Sequence, residues 1–192
     1  MKYLIMTEGA NEQVLLNLLL EKGLLKFDKK DLLDEKVFAI HQLQQSVITL
    51  INTLPYNERV KIIRVGDKMS DYIKIQTSIK DKVIKEIDYY CTLPEFEMLL
   101  IINENLLDEY NKVKSIMKPK IFAKKHIKLN RKKYDNSTKW VKDYFEQNEI
   151  IECLKKYSEL RKGVHDKNQN CLYDLVNEEI KNSKYNRICK KS

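Results

Sequence analysis

An α/β fold with a mainly parallel sheet is what this chain predicts, on three observations. Short apolar runs at 2–7, 37–41 and 60–65 alternate with longer segments whose apolar residues recur at helical spacing. The first and third runs each stop at a glycine beside an acid, Glu8-Gly9 and Gly66-Asp67. The segments between the runs are long enough for crossover helices, the connection that parallel neighbours require.

Taken in order, Lys2 to Thr7 reads as a short buried strand, and Glu8 stands at its exit. Asn11-Glu12 then offers caps for a helix carrying Val14, Leu15, Leu18 and Leu19, with Gly23 as its stop signal. Asp28 to Glu35 is polar and turn-like, with room for one helical turn at Asp31-Leu-Leu. Val37 to His41 is a second strand, and Leu43 to Leu54 a second helix, ended before Pro55. Val60 to Val65 is the third strand, followed by a loop from Lys68 to Lys74. A fourth strand is expected over 82–90, a helix from Glu95 to Ile102 with Pro94 at its start, and another over 106–117. Asn136-Ser-Thr138 supplies caps before a stripe of Trp140, Val141, Tyr144 and Phe145, with Trp140 read as a core anchor. A further amphipathic helix carries Ile150, Ile151, Leu154, Tyr157 and Leu160, and a last one spans 172–180, before a basic tail after Asn182.

Charge is divided unevenly along the chain. The overall net charge is +8, but residues 1–110 hold 14 Lys and Arg against 18 Asp and Glu, a net of −4. Residues 111–192 hold 22 against 10, a net of +12. This division predicts an α/β domain over 1–110 and a basic helical extension over 111–192 packed on it, with a polyanion as partner. No apolar run reaches the roughly 20 residues that span a bilayer, so no membrane partner is expected. The N-terminus lacks the features of a secretory signal. Four Cys at 91, 153, 171 and 189 lie far apart without metal-ligand spacing, which reads as reduced, structural thiols in a cytoplasmic protein.

The acids carry the chemistry. Glu8 follows the first strand, Asp67 and Asp71 the third, and Glu95 and Glu97 the fourth. In a parallel sheet these exits share one edge, where ligands of open α/β folds gather. An all-carboxylate set without His or Cys suits Mg²⁺ or Mn²⁺, ions that polarise phosphoryl oxygens and activate water. The bland alternative is that each acid caps a helix or pairs with Lys. His41 reads as a hydrogen-bonded turn histidine, and His165 beside Asp166 as an exposed loop residue. No glycine-rich loop or Ser/His/Asp set points to small-molecule chemistry.

Tyr3-Leu-Ile-Met-Thr-Glu-Gly-Ala-Asn-Glu12 resembles the opening motif of Toprim domains, shared by topoisomerases, primases and OLD-type nucleases. Ile62-Ile-Arg-Val-Gly-Asp67 occupies the place of that family's second acidic motif. Cys91-Thr-Leu-Pro-Glu-Phe-Glu-Met-Leu-Leu100 is similar to the Pro-x-Phe-Glu signature of RloB-like and AbiL-like Toprim proteins of phage-defence loci. The resemblance covers about residues 1–105. It implies a Toprim-like (Rossmann-like) sheet and a metal-dependent nuclease of DNA or RNA in phage defence or a mobile element. Glu8, Asp67 and Glu97 would be catalytic; Glu8, Asp67, Asp71 and Glu97 would hold Mg²⁺ or Mn²⁺, and Glu12 and Glu95 fall at neighbouring motif positions. One departure stands out. The family has Asp-x-Asp after the third strand, whereas Asp67-Lys-Met-Ser-Asp71 spaces the acids further apart. That spacing leaves open one ion or two, and a catalytically degenerate Toprim-like module that binds nucleic acid or a partner ATPase.

Beside the acids, 118–133 gathers Lys118, Lys120, Lys124, Lys125, Lys128, Arg131, Lys132 and Lys133, a surface suited to nucleic-acid phosphates. Phe122, His126 and Tyr134 are interleaved as possible base-stacking partners. The alternative is a solvated face with Ile121 and Phe122 buried.

Overall fold

The computed structural model describes residues 1–67, 72–161 and 170–182. Strand β1 (Lys2–Thr7) is an inner strand of a sheet that also contains β2 (Phe38–Ala39), β3 (Val60–Gly66), β4 (Asp88–Cys91) and β7 (Asn170–Cys171). The spatial order is β2-β1-β3-β4-β7, and every pairing is parallel. Thr7 pairs with Val65 and with Ala39, and Gly66 pairs with Cys91. The exits of β1, β2, β3 and β4 therefore share one edge.

Alternation along the strands divides the core between two faces. Ile5, Ile63 and Val65 point into the larger cluster, built by helices α1 (Ala10–Glu21), α3 (Glu97–Asn103), α5 (Pro119–His126), α6 (Thr138–Gln147) and α7 (Ile150–Arg161). Leu4, Met6, Val60 and Ile62 point the other way, against α2 (Gln45–Thr53) and Ile73, Ile79 and Val83. A short helix α4 (Leu107–Val113) follows α3. Among the described residues no helix is long and apolar enough to cross a membrane.

Several elements form for the reasons legible in the chain. Helix α1 ends where Gly23 adopts φ +63°, with Gly23 N–H donating to Leu20 O and Leu24 N–H to Leu19 O, a Schellman stop. Ser137 caps α6 by accepting from Trp140 N–H at 3.2 Å, and Trp140, Tyr144 and Phe145 are buried. Other elements differ from expectation. Helix α1 begins at Ala10 with Gly9 as its cap, so Asn11 and Glu12 lie inside its first turn. The fourth strand shrinks to Asp88–Cys91, because Lys82 Nζ donates to the carbonyls of Ile51, Asn52 and Leu54 at the end of α2. That cation at a helix C-terminus holds 82–84 beside the start of β3 instead. The expected last helix is a 3₁₀ turn, Leu172–Leu175, followed by a helical turn over 178–182.

The C-terminal part enters the same apolar cluster as the N-terminal part, with α6 packed on α1 and α7 on α3, and it adds strand β7. Cys91 and Cys171 are register partners across β4 and β7, and both are buried, as is Cys153. Burial pushes the Cys91 thiol up to about 12. Cys189, His165, Asp166 and the tail after Asn182 lie outside the described residues.

Candidate active site

Register brings Glu8 over β3. One residue beyond the Thr7–Val65 pair, Glu8 N–H donates to Val65 O at 2.9 Å and its side chain lies across Gly66. A Cβ on Gly66 would stand 2.7 Å from Glu8 Oε2 and 2.9 Å from Glu8 Cβ, so only glycine leaves room for this carboxylate. Glu8 Oε2 also accepts from Asp67 N–H at 3.1 Å, which ties the first two acidic positions together. Asp71 lies outside the described residues.

These residues open into a cavity of about 320 Å³, lined by Glu8, Gly9, Asn11, Glu12, Asp67, Glu95, Glu97, Lys120, Asn136 and Thr138, among others. Glu8, Asp67 and Glu97 therefore meet at one place, as the strand-exit reading required. Glu12 joins them from the first turn of α1, its side chain folded back so that a Cβ on Gly9 would lie 2.6 Å from Oε2. Burial pushes the Glu12 carboxyl up to about 7, and the charges of Glu8, Glu97 and Asp67 push the same way.

The other carboxylates have structural partners. Glu97, 4% exposed, accepts from Tyr134 Oη at 2.8 Å. Burial and the Glu97 charge hold the Tyr134 hydroxyl far above its usual range, so it stays a donor. Asn136, with its amide nitrogen turned toward Glu97, donates to Glu97 Oε1 at 3.2 Å and accepts from Lys120 Nζ at 3.1 Å. Asn136 takes a left-handed backbone, φ 69°, which asparagine tolerates better than most residues. Glu95 Oε2 accepts from Lys120 N–H at 3.0 Å, so Glu95 caps the N-terminus of α5 although it also lines the cavity. His41 does not line the cavity; its Nδ1 lies 3.3 Å from the buried Arg64 guanidinium, which also donates to Ile40 O.

The eight basic residues of 118–133 are all exposed, and among the described residues none forms a salt bridge. Lys120 reaches the cavity; the rest lie on α5 and on a hairpin of β5 (Lys128–Leu129) and β6 (Lys132–Lys133). Two of their three aromatic neighbours are not available to bases. Phe122 and Tyr134 are each 2% exposed, and His126 stacks on Phe122 with ring centroids 4.2 Å apart. The stacking role expected of Phe122 and Tyr134 is overturned, since both complete the core.

Tyr134, Asn136 and Thr138 were not legible as residues of this acidic site, whereas Glu12 was marked by its motif position. The Asn136-Ser-Thr138 run carried only capping signals, and Tyr134 reaches Glu97 across 37 positions of sequence. Among the described residues no group of three His, Cys, Asp or Glu side chains stands ready to hold a metal ion. Comparison with protein-family models, curated proteins and solved structures found no match.

Proposed function

We propose that this protein is a metal-dependent nuclease of Toprim-like design, cutting phosphodiester bonds of nucleic acid. The observation that carries the reading is the convergence of Glu8, Glu12, Asp67 and Glu97 on one cavity, where burial and mutual repulsion push Glu12 up to about 7. An excess of buried negative charge is relieved by a proton or by a cation, and all-oxygen donors fit a hard divalent ion. Glu8, Asp67 and Glu97 would hold Mg²⁺ or Mn²⁺, which when bound supplies Lewis acidity toward the phosphate and an acidified water.

The protein's own groups have distinct parts in this scheme. Glu8 sits where it can take a proton from an attacking water. Tyr134 and Asn136 hold Glu97 in place, and Lys120 offers the cavity a cation for a phosphate oxygen. The test is cleavage of plasmid, single-stranded DNA and RNA with Mg²⁺ or Mn²⁺. Wild type is expected to cut at least one, and Glu8→Ala to lose about a thousandfold or more in rate. Intact substrates, or a Glu8→Ala protein equal to wild type, contradict the reading.

A second reading, a non-catalytic module that binds nucleic acid or a partner ATPase, is favoured by the wider spacing of Asp67-Lys-Met-Ser-Asp71. It predicts salt-sensitive nucleic-acid binding that survives both Glu8→Ala and chelation, with no cleavage under any metal.

A further inference from the structure

We infer that the nucleic acid this surface takes is double-stranded and is gripped through its phosphates alone. The inference rests on the nucleic-acid reading above and adds the strandedness of the ligand. Helix α5 sets Lys120 at the cavity and Lys124 one turn further along the same face. The chain continues into the β5–β6 hairpin, where Lys128 and Lys133 are register partners and so present both cations to solvent on one face of the ribbon. Asn130 and Arg131 both have positive φ, 48° and 69°, the type I′ geometry of a two-residue turn.

This ribbon is fixed. Asn130 Nδ2 donates to Gln147 Oε1 at 3.1 Å, and Trp140 Nε1 donates to Lys132 O at 3.3 Å. A platform pinned to α6 at two points suits a stiff partner better than one that must be wrapped.

The aromatic groups decide between strand types. Proteins that hold single strands combine a basic groove with exposed rings on which unpaired bases stack. Among the described residues of 118–147 every Phe, Tyr and Trp is buried, and the His126 ring is covered on one face by Phe122. No Phe, Tyr or Trp of this surface replaces the stacking that a base loses on leaving a helix. A duplex needs no such replacement, and it presents one charge per about 1.7 Å of axis, twice the linear density of either strand. An array of eight exposed cations whose one exposed ring, His126, already stacks on Phe122 therefore gains most from a duplex, and with phosphate contacts alone it reads no sequence.

The experiment is fluorescence anisotropy in EDTA, with the full-length protein and labelled DNA and RNA duplexes of unrelated sequences, against their separate strands. Binding to at least one duplex type is expected to be tenfold or more tighter than to its strands, at about equal affinity across sequences. The triple variant K124A/K128A/K133A, checked for an unchanged melting curve, is expected to lower the slope of log K against log salt by about three. Equal or tighter binding of single strands, no binding to either form, or an unchanged slope in the triple variant overturns the inference. Cleavage with Mg²⁺ is scored separately. Cutting without duplex preference sinks this inference and leaves the nuclease reading, whereas duplex preference without cutting does the reverse.

Discussion

The cavity and the basic surface are both charged, but they hold their charge in opposite ways. In the cavity Glu12 and Glu97 are 7% and 4% exposed, and each carboxylate feels its neighbours. On α5 and the hairpin all eight cations are in water, where neighbouring charges are screened within about 10 Å at ordinary salt. The two sets of charges therefore have different consequences. Buried acids alter folding stability, geometry and ion affinity, while exposed lysines alter only how a polyanion is attracted and held.

The strongest way to break this contrast is to disturb the packing under Glu8. Gly66→Ala places a methyl 2.9 Å from Glu8 Cβ, which is near the backbone and cannot swing away like a side-chain tip. Cleavage is expected to fall by about 100-fold, the cost of moving a catalytic group by about an ångström. A full-rate Gly66→Ala enzyme would mean that the Glu8 position is not what matters.

Next in size is the burial of Glu12 itself. Its folded pKa of about 7 lies above the ordinary 4.5, so between those values the folded state holds a proton that the unfolded state has lost. In metal-free protein this makes stability decline as pH rises from 4.5 to about 7 and level off above it, with no penalty below 4.5. Glu8, Glu97 and Asp67 add to the penalty, and Lys120 is the one cation among the described residues lining the cavity. Glu12→Gln is expected to remove that decline and raise stability at pH 8 by on the order of 2 kcal/mol, measured by urea unfolding in EDTA. Unchanged stability at pH 8 would place Glu12 in solvent.

Tyr134→Phe takes one donor from buried Glu97. Unfolding free energy is expected to drop by about 1–3 kcal/mol, with weaker Mn²⁺ binding, and Asn136 as the remaining donor. At the small end, Lys124→Ala and Lys128→Ala are each expected to change stability by less than about 0.5 kcal/mol. A larger loss from either would show that the basic surface is structural, and the contrast would disappear.

What the chain revealed in advance follows the same division. Strand exits were legible because Glu8-Gly9 and Gly66-Asp67 announce themselves locally, and register then brings them together. The helix stop at Gly23 and the cap at Ser137 are equally local. Strand β7 was not legible, because two residues, Asn170 and Cys171, are too short to show alternation. The hydroxyl that holds Glu97 comes from Tyr134 across a tertiary contact that no spacing encodes, and the inward turn of Phe122 depends on Tyr110 packing against it. Segment 82–87 carried enough β-prone residues to read as strand, but Lys82 had stronger partners at the end of α2.

The central claim is that the acids at this edge share a divalent ion. A crystal soaked in Mn²⁺ and measured at the manganese absorption edge tests it most directly. An anomalous peak in the cavity, bonded to an oxygen of Glu8 and to one of Asp67 or Glu97 at about 2.0–2.3 Å, is the predicted result. A cavity with no peak at saturating Mn²⁺, while Glu8 still lies across Gly66 and Glu97 still accepts from Tyr134, would contradict it.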